Sequence, residues 1–250
     1  AFFVPGVACF LLGIGFVLYT RASANGKNQG TSVVEDMPVS LNTTRLALGL
    51  MAVTALSVGL ITQAYTSGLP KVFDDTMRAL VSAFTLDREG GLTMSSALVT
   101  LVILAGAVGQ IVGGSLASKY SPKAVYICMF AIMVPLALLA SQLDGIALVA
   151  VAAIMMLVIT GCLPAENCII VRFCPENWRA RVFSAKFVVA LGGGSFAVLA
   201  VGEIFDRTTD FTWFYGLLIG LAVVVMAFAA FLPSMKDTIE GSAPVSGAAE

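Results

Sequence analysis

Seven stretches of this chain are apolar almost without interruption, at about residues 2–20, 46–67, 93–118, 124–141, 145–171, 183–203 and 211–232. A bilayer core about 30 Å thick is crossed by about 20 helical residues. The runs lack the two-residue alternation of a membrane barrel, and a helix satisfies its backbone N–H and C=O groups within one segment. The expected fold class is therefore all-α: a polytopic membrane protein with a six-helix bundle and one extra N-terminal transmembrane helix. Composition closes the soluble alternative. Hydrophobic residues make up 58% and charged residues 12%, half the charged share of an ordinary soluble domain, about 25%.

Other classes fall with the residue counts. There is no histidine, which removes HExxH zinc sites, serine–histidine dyads and histidine proton relays. A net charge of −1 provides no basic field for nucleic acid. Cys9, Cys128, Cys162, Cys168 and Cys174 are odd in number and show no CxxC spacing, so they read as small apolar residues. No metal and no cofactor is expected.

Loop charges orient the spans. Ten basic residues (Arg21, Lys27, Arg45, Lys119, Lys123, Arg172, Arg179, Arg181, Lys186, Lys236) fall on one side, and Lys71, Arg78, Arg88 and Arg207 on the other. This places the tail in the cytoplasm. Residues 1–20 are expected to be a transmembrane helix belonging to a preceding half, 21–45 a cytoplasmic linker, 46–232 the six-helix body and 233–250 a disordered tail. Residues 70–84 carry apolar side chains at spacings of three and four, opposite Asp74, Asp75 and Arg78. They read as an amphipathic helix at the outer surface or as an extension of the second span.

Between the third and fourth runs stands Gly114-Ser115-Leu116-Ala117-Ser118-Lys119-Tyr120-Ser121-Pro122-Lys123. It resembles the G-x-L-A-D-R-x-G-R-K loop of the major facilitator superfamily, with Gly114, Leu116, Ala117, Lys119 and Lys123 matching or conservatively replaced. Ser118, Ser121 and Pro122 depart from it. Residues 1–21 resemble that family's sixth helix. Gly68-Leu69-Pro70-Lys71-Val72-Phe73 resembles the close of its seventh, and Pro164-Ala165-Glu166-Asn167 with Arg172, Pro175 and Trp178-Arg179-Ala180-Arg181 its tenth helix and following loop. The resemblance implies the last seven of twelve helices, the final six forming two inverted triplets. It also implies secondary transport of a small molecule by alternating access, with proton coupling and a missing N-terminal half, in a cell (cytoplasmic or inner) membrane. Gly68-Leu69-Pro70 and Gly161-Cys162-Leu163-Pro164 are then matched interruptions of gate helices.

Polar residues within the spans are the candidates for function. Thr54, Ser57, Thr62 and Tyr65 share one face of the second span, with Gln63 opposite. This stripe lines a substrate path, or its hydroxyls bond back to their own helix. Gln110 lies among Gly106, Gly109, Gly113 and Gly114, a face suited to close crossing. Thr160, Asn167 and Ser195 complete the path candidates, Ser195 following three glycines that permit bending or tight contact. Gly216 and Gly220 form a GxxxG read as packing. Glu166 is the costliest residue, facing a penalty of roughly 2.5 kcal/mol or more if fully inside the bilayer. It is expected near the cytoplasmic boundary, as a gate carboxylate paired with one of Lys119, Lys123, Arg172, Arg179, Arg181 or Lys186, or as a proton-coupling site. The alternative function is a non-transporting accessory or assembly protein of the same fold, which a dry, apolar cavity would favour. A retinal receptor fails for want of a lysine in the last span, and an aspartyl protease for want of intramembrane aspartates.

Overall fold

Seven helices occupy the residues that the computed structural model describes, which are 3–24, 41–76, 88–208 and 211–232. They are α1 (Phe3–Ala24), α2 (Leu41–Thr76), α3 (Arg88–Lys119), α4 (Pro122–Ala140), α5 (Gly145–Phe173), α6 (Glu176–Arg207) and α7 (Thr212–Ala230). No strand occurs among the described residues, so the all-α expectation holds. The chain forms two units, 1–37 and 38–250. The first contains α1, an apolar helix ending at Arg21 and its neighbours. The second contains six helices long and apolar enough to cross a bilayer.

Local chemistry explains the turns. Ser121 is extended and caps α4, its Oγ accepting from the Ala124 N–H at 3.2 Å, and Pro122 follows at the first turn. These are two residues that depart from the family loop, and together they make a helix start. Gly145 opens α5 at a φ of +63°, which lets the chain reverse after α4 without a Cβ clash. Pro175, at the cap position of α6, separates it from α5.

One expectation on boundaries requires correction. Neither Gly/Leu-Pro site interrupts its helix. α2 runs through Pro70 to Thr76, and α5 through Pro164 to Phe173. A proline removes one N–H, and neighbouring helices can support the backbone around it. Gly68 serves packing, since a Cβ there would lie 2.5 Å from the Phe214 ring. Residues 70–76 continue the second span with Val72 and Phe73 buried, which is the second of the two readings of that stretch. The remainder of that amphipathic stretch, residues 25–40 of the expected linker and the tail from 233 fall outside the described residues.

The principal interfaces pair α3 with α5, α2 with α6, α4 with α5, α2 with α7, and α4 with α7. Exchanging α2 for α5, α3 for α6 and α4 for α7 interchanges these pairings two by two and leaves the α4–α7 pairing as itself. Helices three apart in an alternating chain run in opposite directions, so this is the pattern of two inverted triplets. Tyr65, Phe73, Tyr126, Phe130, Met155 and Phe214 are fully buried between the helices. Lys123 ties the start of α4 to the end of α7, donating to the Ala230 carbonyl at 2.9 Å and the Leu232 carbonyl at 2.5 Å. A cation at the exposed carbonyls of a helix terminus is favoured by the local dipole.

Glycines set the closest crossings. A Cβ at Gly113 would stand 1.9 Å from the Gly161 carbonyl oxygen, and one at Gly109 2.3 Å from that of Leu157. Gly59 meets Ala190 in the same way, with its carbonyl oxygen 2.4 Å from the notional Cβ. Thus α3 lies against α5, and α2 against α6, backbone to backbone. Gly216 and Gly220 have nothing within 4 Å of a notional Cβ, so the GxxxG packing expected there is not present among the described residues. Their face is open. Large apolar side chains such as Leu104, Ile111, Phe196 and Leu199 point outward from α3 and α6, as suits helices solvated by lipid.

The two glycine classes should separate experimentally. Gly113→Ala should destabilise the purified, detergent-solubilised chain by about 1–3 kcal/mol through overpacking. Gly220→Ala should change stability by about 1 kcal/mol or less, in the stabilising direction. Thermal unfolding measures both, and equal losses at the two positions would contradict the crossing described.

Candidate functional site

A cleft of about 280 Å³ opens where the α2–α6 and α3–α5 pairs face one another. Its wall takes Val58, Gly59, Thr62 and Gln63 from α2, Gln110 from α3, Leu163, Pro164, Glu166 and Asn167 from α5, and Lys186, Phe187, Ala190 and Leu191 from α6. The glycine crossings bring these side chains together. Gly194 has a direct part, because a Cβ there would stand 2.4 Å from Gln63 Cγ.

Glu166 and Lys186 carry the only charges in this wall. Lys186 Nζ is 3.2 Å from Glu166 Oε2, with side-chain exposures of 8% and 0%. The same ammonium, which has three donors, also donates to Asn167 Oδ1 at 2.6 Å. Lys186 is thus shared between Glu166 and Asn167, and the second carboxyl oxygen of Glu166, Oε1, has no hydrogen-bond partner. The Tyr126 hydroxyl, also unpartnered, and the Cys162 thiol lie within electrostatic reach of the same carboxyl. Unmet acceptors in a buried setting are costly, so this pair is the part of the bundle poised to interact with something else.

The gate expected at Glu166 contracts to this one pair. Glu166 sits two helical turns inside the end of α5, about 10 Å along its axis, and is fully buried between the helices. Lys186, counted with the loop cations, lies well within α6. The other cations do not converge on the carboxylate. Lys119, Arg172 and Arg181 are exposed, and Lys123 is held by the end of α7. Arg179 pairs with Glu176 at 3.1 Å and donates to the Cys174 carbonyl at 3.4 Å. Each is drawn to a local acceptor or to water, where a long side chain keeps its hydration. The loop residues Gly114, Leu116 and Ala117 belong to the last turns of α3, with Ala117 buried.

The path candidates divide. Thr62, Gln110 and Asn167 line the cleft. Thr54, Ser57 and Tyr65 do not. The hydroxyls of Thr54 and Ser57 donate to the Met51 and Val53 carbonyls at 3.1 and 3.0 Å, and Tyr65 donates to the Ala152 carbonyl on α5 at 2.7 Å. Even Thr62 bonds back to its own helix, at Val58 O. Thr160 joins α5 to α3, donating to Gly106 O at 2.7 Å. Ser195 is exposed away from the cleft. Gln63, assigned to the far face, is a cleft residue. Opposite faces of one helix were distinguishable in the sequence, but which face met α5 and α6 was not. Gly194 was the available signal, since a glycine opposite a long amide accommodates it.

A sequence model described as Major Facilitator Superfamily matches residues 76–248, from the last residue of α2 through α7 and beyond. No curated protein and no solved structure matches the chain.

The ion pair should respond asymmetrically to substitution. Lys186→Met leaves a buried carboxyl uncompensated and should cost about 3–5 kcal/mol of stability. The double variant Lys186→Met with Glu166→Gln should recover most of that loss. Unfolding of the two variants in the same detergent measures it, and a double variant no more stable than the single one would disprove the pairing.

Proposed function

Because the chain belongs to the major facilitator superfamily, a family of membrane transporters, we propose that its six-helix bundle forms one wall of an alternating-access path for a small molecule. The observation that carries this is the cleft itself. It lies between the two triplets, and its wall holds a buried carboxylate–ammonium pair, an asparagine and two glutamines. In a lipid environment such a wall is too costly to maintain for packing alone. A wall with these polar groups supports transport over the accessory reading, which a wholly apolar cavity would favour.

The pair also has a place in the transport cycle. A smaller apolar crevice of about 160 Å³, lined by Leu48, Met51, Ile170, Val182 and Val189, shares Ala55 and Lys186 with the cleft. It lies toward the ends of α5 and α2 that the charge pattern assigns to the cytoplasm. Lys186, held by Glu166 and Asn167, thus stands between cleft and crevice. Our reading is that the pair closes the inward route and that protonation of Glu166 or arrival of substrate releases Lys186. A proton taken up in that step would couple transport to the proton gradient.

Glu166→Gln should then weaken the closed state by about 1–3 kcal/mol while leaving folding largely intact. A cysteine replacing Val189 should label faster with a membrane-impermeant maleimide from the tail side in the Gln variant, measured with the native cysteines replaced. Unchanged labelling, with transport retained and its pH dependence lost, would assign Glu166 to proton coupling alone. Orientation is tested by Tyr120→Cys and Thr208→Cys. The first should label from the cytoplasmic face and the second from the opposite one, and the reverse pattern would overturn the topology.

A further inference from the structure

The charge and hydrogen-bond state of the cleft limits what it can bind, and this deepens the transport reading on which it rests. The wall has one carboxylate and one ammonium 3.2 Å apart, so their charges cancel at the site. Its other polar groups are Thr62, Gln63, Gln110 and Asn167, all neutral. An anion entering here would face Glu166 without a second cation, and a cation would face Lys186 without a second carboxylate. In a semi-desolvated site either arrival is costlier than that of a neutral guest.

What the site does need is a donor. Lys186 donates to Asn167 at 2.6 Å and meets Glu166 Oε2 at 3.2 Å, which leaves Oε1 of the fully buried Glu166 without a partner. Lysine has no acceptor capacity, and the Asn167 carbonyl oxygen is already used. A ligand hydroxyl or N–H could meet Glu166 in a charge-assisted bond without displacing Lys186. The carboxamides of Gln63 and Gln110 can donate or accept as the ligand requires. Opposite them, Leu163, Pro164, Phe187 and Leu191 form an apolar side suited to a hydrocarbon or aromatic body. We infer that this cleft binds a small, net-neutral, amphipathic molecule whose hydroxyl or N–H donates to Glu166.

Matched one-ring solutes test the inference on the purified full chain. Benzyl alcohol and benzamide are neutral donors, benzoate is an anion, benzylammonium a cation, and methyl benzyl ether a neutral molecule without a donor. Binding is read by saturation-transfer NMR, with the same series run on protein-free detergent micelles to subtract partitioning into detergent. The two neutral donors should bind the wild-type chain, and Glu166→Gln should weaken them about tenfold. Thr54→Ala, outside the cleft, should leave their binding unchanged. Preference for benzoate or benzylammonium would overturn the assignment of charge class. Equal binding of the ether, or insensitivity to Glu166→Gln, would overturn the donor role, and no binding by any of the five would overturn the site. Flux of the same solutes into proteoliposomes separates this from the transport reading. Uptake confined to a charged solute would leave transport standing and remove the substrate class. Binding of the neutral donors without any flux would do the opposite.

Discussion

Where α3 crosses α5, the backbones approach so closely that no side chain fits between them. Gly109 and Gly113 face Leu157 and Gly161, and Thr160 seals the contact with a hydrogen bond to the Gly106 carbonyl. On the other side of the bundle Gly59 lets α2 approach Ala190 of α6. In a bilayer, apolar side chains gain little by leaving lipid for protein, so helix association relies on close packing and interhelical hydrogen bonds. The glycine crossings meet that requirement. They fix how closely the helices stand within each pair, and hence which side chains each pair presents to the cleft.

The same restriction explains the economy of the polar residues. Hydroxyls on α2 that look available in the sequence are spent on the carbonyls one turn back, at Thr54, Ser57, Thr62, Thr66 and Ser67. This is the local solution to burial without water. Glu166 has no such retreat, since no cation stands three or four residues from it on its own helix. Glu166 must look across to α6, and finds Lys186. The pair is neutral as a whole yet incompletely hydrogen-bonded, a condition that costs stability and leaves capacity for a guest or a proton. A transporter needs such an element, because a fully satisfied network would favour a single state.

Much of the fold was legible in the residues. The six spans of the body followed from apolar run length, the α3–α4 turn from its short polar loop, and the close face of α3 from four glycines. The site was legible in part. Glu166, Asn167 and Gln110 were identifiable as polar groups within apolar runs, whereas Lys186 was counted among the loop cations. The hydroxyl stripe of α2 was read with two outcomes, and the bonds to its own carbonyls account for most of it. Gln63 was missed because the helical wheel ranks faces only relative to one another. The prolines misled for a related reason. Pro70 and Pro164 each lack one donor, but whether a helix bends or stops there depends on what is packed beside it.

By itself the sequence determined that this chain lives in a membrane as helices, since hydrophobic run length and the absence of alternation are properties of single segments. It also determined that a carboxylate at position 166 had to be paired, protonated or near water, because the cost of an isolated charge in hydrocarbon is independent of the fold. Only the tertiary structure decided that it is paired, and with which cation. Six stood within plausible reach along the chain. The choice fell to Lys186 because the α2–α6 crossing carries it inward, while Lys123, Arg179 and the exposed cations have nearer acceptors or water. Pairing between helices depends on distances fixed by packing, and no periodicity within one helix contains them.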